Sequence, residues 1–155
     1  MERRDLLRRT GAVLATGAVA GCLTDDADAG SGGDPDGTGP ELVSRSVETV
    51  ETGCGTENAA TVAFDDGNGT VTLQGSISAS TPCHVAAIER ADFDAESRTL
   101  VVVVTAEDDG SDGCVQCLGQ VDYTASFEFA GGLPDSVEVR HASMGETTTV
   151  ATGSR

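Results

Sequence analysis

Val121-Asp122-Tyr123-Thr124-Ala125-Ser126-Phe127-Glu128-Phe129 alternates without a break: odd positions are apolar or aromatic, even ones polar. A period of two sends successive side chains to opposite faces of an extended chain, so the segment predicts a strand with one buried and one wet face. Upstream, Leu100-Val101-Val102-Val103-Val104 is a continuous, mostly β-branched run, which suits a central strand covered on both sides. Working outward, strands are expected near 42–50, 59–65, 70–78, 84–93, 98–106, 120–129 and 136–142, with a weaker eighth at 147–151. No stretch from residue 41 onward carries a convincing helical period.

The segments between these strands carry turn chemistry. Asp65-Asp66-Gly67-Asn68-Gly69 supplies residues that tolerate positive φ and reads as a hairpin loop. Asp94-Ala95-Glu96-Ser97 and Gly131-Gly132-Leu133-Pro134-Asp135 read as later turns. About seven short strands at this spacing predict an all-β domain, an antiparallel β-sandwich of immunoglobulin-like size over residues 41–152. The chain has no Trp, so the immunoglobulin disulfide-plus-tryptophan signature is missing.

Ahead of the domain, residues 1–22 place Arg3, Arg4, Arg8 and Arg9 before a weakly apolar run from Gly11 to Gly21. This is the layout of an export signal, and the run is too short to span a bilayer. Arg3-Arg4 followed by Asp5-Leu6-Leu7 resembles the twin-arginine signal, which implies export of an already folded protein. Val19-Ala20-Gly21-Cys22 resembles a lipobox, which implies cleavage before Cys22 and lipid modification of that residue. Residues 1–21 are then the signal, and residues 22–40 a lipidated cysteine and an acidic Gly/Asp-rich linker. Such a linker buries too little apolar surface to offset its chain entropy, and spans on the order of 25 Å.

The chain carries 9 basic and 26 acidic residues, with no lysine. Four arginines lie in the signal with Glu2 and Asp5, so the remainder sets five basic residues against twenty-four acidic ones. A field of that sign repels nucleic acid and anionic headgroups and excludes both as partners of the domain. The carboxylates are spread along the chain and form no D-x-D-x-D-G loop, which favours adaptation to high salt over a dedicated cation site. Together with the signal, this composition resembles that of small twin-arginine lipoproteins of haloarchaea. The resemblance implies a protein held by lipid on the extracellular face of the membrane.

Four further cysteines remain: Cys54, Cys83, Cys114 and Cys117. An even count in a small exported domain reads first as two structural disulfides, with three connectivities open. Pairings that join Cys54 and Cys83 to the Cys114/Cys117 pair are favoured, because long closures restrain the unfolded chain most. If successive strands alternate direction, all four cysteines collect at one pole of the sandwich, together with His84 and His141. Asn68 and the linker entry then lie at the opposite pole. A metal site using these cysteines is a second reading, since C-x-x-C is also a zinc half-knuckle. A redox dithiol at Cys114-Val115-Gln116-Cys117 is a third, though it wants a helix N-terminus that nothing here supplies.

Asn68-Gly69-Thr70 is an N-glycosylation sequon on an exposed hairpin. His84 and His141 read as packed or surface side chains, not ligands. There is no G-x-S-x-G, no H-E-x-x-H and no glycine-rich phosphate loop, so no catalytic residue is assigned and the domain reads as non-enzymatic. The sequence implies neither a cofactor nor a resident metal. It implies a lipid-anchored surface domain in a binding or envelope-structural role, with an envelope protein or glycan as its unidentified partner. The alternative is an envelope metal-binding or thiol-redox protein built on the four cysteines.

Overall fold

A computed structural model describes residues 39–155; the expected signal, Cys22 and the expected linker as far as residue 38 lie outside the described residues. Eight strands follow in order: β1 (Glu41–Cys54), β2 (Ala59–Asp65), β3 (Thr70–Ala79), β4 (His84–Asp94), β5 (Thr99–Asp108), β6 (Gly119–Ala130), β7 (Ser136–Ser143) and β8 (Glu146–Ser154). They form two four-stranded sheets, ordered β1-β6-β3-β2 and β4-β5-β7-β8.

The strand that announced the fold lies inside the first sheet, bonded to β1 on one side and β3 on the other. Its odd residues Val121, Tyr123, Ala125, Phe127 and Phe129 are all buried. They meet Leu100, Val102 and Val104 of β5 and Val137 and Val139 of β7 in one continuous core. Each fully buried aliphatic or aromatic side chain of this kind stabilises by about 1.5–3 kcal/mol relative to exposure. The valine run of β5 sits between β4 and β7, as a central strand should. Of its outward-facing residues Val103 is only 8 % exposed, while Thr99, Val101 and Thr105 are half-buried. The inner face is thus covered by the other sheet, and the outer face only in part, by neighbours in its own sheet.

The sandwich is therefore as expected in class, with two refinements. The eighth strand is a full element, running through Ser154 where only 147–151 was anticipated. The pairing is mixed, because β5 and β7 run parallel. Strict alternation of direction produces this pair: the chain leaves β5, crosses to the other sheet as β6, and returns as β7 beside β5 with the same heading. An immunoglobulin constant-type domain orders its strands 1-2-5-4 and 3-6-7, so the likeness lies in size and layering, not in strand order.

Bulges explain side chains that look misplaced. In β1 the register with β6 skips Val43 and Val50, and these two valines are 63 % and 65 % exposed. The extra residue of a bulge has no partner and is turned out of the pleat. Glu89 of β4 and Val150 of β8 are skipped in the same way.

Candidate functional site

The pole at which β1, β3 and β5 end carries the molecule's covalent chemistry. Cys54 closes β1 and bonds Cys117, Cα to Cα 5.8 Å. Cys83, just ahead of β4, bonds Cys114 at 6.0 Å. The connectivity is of the favoured kind, and all four cysteines lie at one end. Cys114 and Cys117 are not bonded to each other. Each ties the loop 109–118 to a different sheet, one through β1 and the other through β4, so C-x-x-C works here as a two-layer clamp. With every sulfur in a bridge, the oxidised protein offers no thiolate from these four residues to a metal or a disulfide substrate.

Backbone bonds seat the same loop. The amide of Gly55 donates to Leu118 O at 3.0 Å and that of Asp109 to Cys83 O at 3.0 Å. Gly119 is forced to be glycine by proximity: a Cβ there would stand 2.0 Å from the carbonyl oxygen of Thr81. Hydrogen bonds from Ser111 hold the Asp109 carboxyl below the usual aspartate range. The loop has almost no apolar content to bury, and two of its apolar side chains face solvent, Val115 at 65 % and Leu118 at 52 % exposure. Val85 at the start of β4 and Met144 in the β7–β8 turn are exposed as well. Four of the six exposed large apolar side chains thus stand on segments of this pole.

Beside the clamp runs an open groove of about 390 Å³, lined by His84, Ala106, Ser143, Met144 and Glu146 among others. A smaller recess of about 110 Å³ shares Ser143, Met144 and Glu146 and reaches Asn58 and His141. Met144 and Gly145 both hold positive φ, 50° and 82°, which makes the two-residue hairpin turn that twisted strands favour. His84 holds its ring by Nδ1, which donates to Thr81 O at 2.9 Å.

Both histidines belong to this half of the molecule, and His141 is the more informative. It is 1 % exposed, in line with Val137 and Val139 on the inward face of β7. Asn58 Oδ1, which can only accept, lies 2.6 Å from Nδ1, so Nδ1 carries the proton. Nε2 is then an acceptor, and the Tyr123 hydroxyl donates to it at 2.7 Å across the core. The arrangement fixes a neutral ring. Burial pushes the His141 pKa down to about 4 and raises that of Tyr123 well above the ordinary tyrosine range. Tyr123 fits because Gly75 faces it: a Cβ at Gly75 would lie 2.7 Å from the phenolic oxygen. With both ring nitrogens engaged, His141 is a structural bridge between the sheets. Sequence reading left this bridge out. The signal was two polar-tipped side chains, Tyr123 and His141, each at inward-facing parity on its strand and each needing a partner.

Asn68 lies at the other pole, exposed on the β2–β3 hairpin. Its amide Nδ2 donates to Asp65 Oδ2 at 2.7 Å, and its backbone N–H donates to Asp65 Oδ1 at 3.2 Å. The sequon nitrogen is thus held by the turn. Glu41, where the chain enters β1, lies at this same end, in register with Ala130. Among the described residues no group of three or more His, Cys, Asp or Glu side chains is placed to hold a metal ion.

These features define an all-β sandwich whose one end is stapled by two disulfides. Comparison with family models, with curated proteins and with solved structures gives no match to this chain.

Proposed function

We propose that the protein is a lipid-anchored domain of the outer cell surface, tethered through Cys22, that binds an envelope protein or glycan with its disulfide-stapled pole and catalyses no reaction. The observation that carries this reading is the opposition of the two ends. The chain enters at Glu41, while the clamped loop with exposed Val115 and Leu118 stands at the far end of the 14-residue strand β1. A tether at the entry end would turn the clamped loop outward. Two disulfides on one short loop suit an oxidising exterior and a loop whose shape matters. Exposed apolar side chains mark a partner surface where they gather, and Val85, Val115, Leu118 and Met144 all stand on segments of this pole.

Fractionation of the native host tests the anchor. Cys22→Ser should move the protein from membrane to medium, and Arg3→Lys with Arg4→Lys should leave precursor in the cytoplasm. Membrane retention of Cys22→Ser at unchanged yield refutes the tether. A free-thiol count and metal analysis on protein from the native envelope tests the rest: reduced cysteines with bound metal would replace this reading by a metal-binding one.

A further inference from the structure

Four strands stand at sheet edges, and an edge strand exposes unpaired backbone N–H and C=O groups to any other strand. Three of the four are blunted. β1 is broken by bulges at Val43 and Val50 and carries Glu41, Arg45, Glu48 and Glu51. β4 is bulged at Glu89 and carries Arg90, Asp92 and Asp94. β8 is bulged at Val150. β2 has none of these devices. Its seven residues pair regularly with Thr70–Ser76, without bulge or proline, and the sole charge is Asp65 at its end. Among the described residues it bonds only to β3.

The side of the sandwich on which β2 stands is also unlike the rest in charge. β8 packs next to β2 across the core, with Gly153 close against Val62. From Thr147 to Ser154, β8 carries no charge at all. The described residues hold nineteen carboxylates against five arginines, so a second copy of this chain is repelled from almost every direction. Between its charged ends, Glu57 and Glu146 at one and Asp65, Asp66 and Arg155 at the other, this side carries no charge, and it is there that two such molecules can meet.

We infer that the free edge of β2 pairs antiparallel with β2 of a second copy, joining two first sheets into one of eight strands. The sequence of β2 is self-complementary about Val62. In the centred register Thr61 stands opposite Ala63, Ala60 opposite Phe64, and Ala59 opposite Asp65. Small thus faces large on the core side, and no carboxylate faces a carboxylate. Phe64 and Val62, half-buried in the single copy, gain cover at the joint. The two Glu41 ends lie at opposite ends of the shared sheet. The antiparallel joint also turns the two stapled poles in opposite directions, so it joins copies tethered to facing surfaces and not two copies standing alike on one membrane; its test, on unanchored chain, does not depend on the tether.

Sedimentation equilibrium of the full chain carrying Cys22→Ser, over a concentration series in molar KCl, reads the pairing directly. The apparent mass should rise to twice that of one chain, and fall back when the salt is lowered. Thr61→Glu with Ala63→Glu places carboxylates opposite one another and should leave a monomer that still melts cooperatively. Thr61→Glu with Ala63→Arg places opposite charges across the joint and should restore the dimer. A chain monomeric at every concentration in molar salt overturns the inference, as does a dimer indifferent to these substitutions; a mobile partner peptide at this edge would give the first result.

Discussion

The buried bridge makes stability depend on pH in a way that isolates one residue. His141 has a pKa of about 4 in the folded protein, where burial opposes its charged form, and about 6.5 when unfolded. The unfolded chain therefore binds a proton at higher pH than the folded one. The associated stability is fully present above pH 6.5 and is lost as the pH falls toward 4. The two pKa values give a loss of about 2 kcal/mol by pH 5 and about 3 kcal/mol by pH 4. His141 is 1 % exposed, so solvent screening does not discount the figure. The nineteen carboxylates of the described residues complicate the raw profile. As they begin to take up protons their mutual repulsion falls, which stabilises the folded state in the opposite direction. The clean quantity is the difference between two profiles. His141→Gln keeps a donor and an acceptor at the site and does not titrate, while every carboxylate is shared. Urea unfolding at fixed molar KCl, followed by fluorescence of Tyr123, the one tyrosine in a chain without tryptophan, gives both curves. The variant starts out less stable at pH 7, and the gap should close by about 2 kcal/mol at pH 5. Profiles that stay parallel from pH 7 to 5 would refute a neutral, desolvated His141.

Further outcomes follow from the packing, the bridges and the charge balance. Gly119→Ala sets a methyl group against the Thr81 carbonyl in a backbone-to-backbone contact that cannot relax easily, so urea unfolding should show a loss of about 3 kcal/mol. Removing either disulfide should cost about 4 kcal/mol by the chain-entropy account, slightly more for Cys54–Cys117, which spans 63 residues, than for Cys83–Cys114, which spans 31. Limited proteolysis of either disulfide variant should cut first within 109–118. Tm should climb steadily from dilute buffer into molar KCl as the excess of carboxylates is screened, and a flat salt series would remove the high-salt reading.

Period and turn chemistry made most of the strands legible because each is local. The alternation of 121–129 and the Asp-Gly and Gly-Gly turns need no knowledge of distant partners. β8 was foreshortened at its far end for an equally local reason: Thr152-Gly153-Ser154 offers no apolar residue and a glycine that reads as a strand breaker, although Gly153 lies close against Val62 across the core. Sheet order was hidden because it depends on which layer each strand joins, and the parallel β5–β7 pair appears only once β6 is assigned to the opposite sheet. The pole was legible from direction alone, since alternating strands put residues 54, 83 and 114–117 at one end whatever the sheet order. Val43 and Val50 were not legible as bulges, because a bulge is a mismatch between two strands and neither sequence records it by itself.

The division of labour within the sandwich follows from where its polar groups found partners. At the entry end Arg155 pairs with Asp66 and Arg98 with Asp135, so two of the five arginines of the described residues neutralise turns there. Arg90 and Arg140 bond Asp92 and Glu138 along the strands. None of these four ion pairs lies on the loop 109–118, where Asp109 and Asp112 flank the clamp. That loop is held by covalent bonds, which do not weaken as salt rises, while the entry-end pairs are screened in molar salt. A domain working in strong brine would keep its shape where covalent bridges hold it and lose the pairs at the other end at little cost, since exposed pairs contribute about 0–1 kcal/mol. Under the proposed binding role, the recognition surface is the bridged end, and binding there by apolar contact through Val115 and Leu118 would strengthen, not fade, as salt is added.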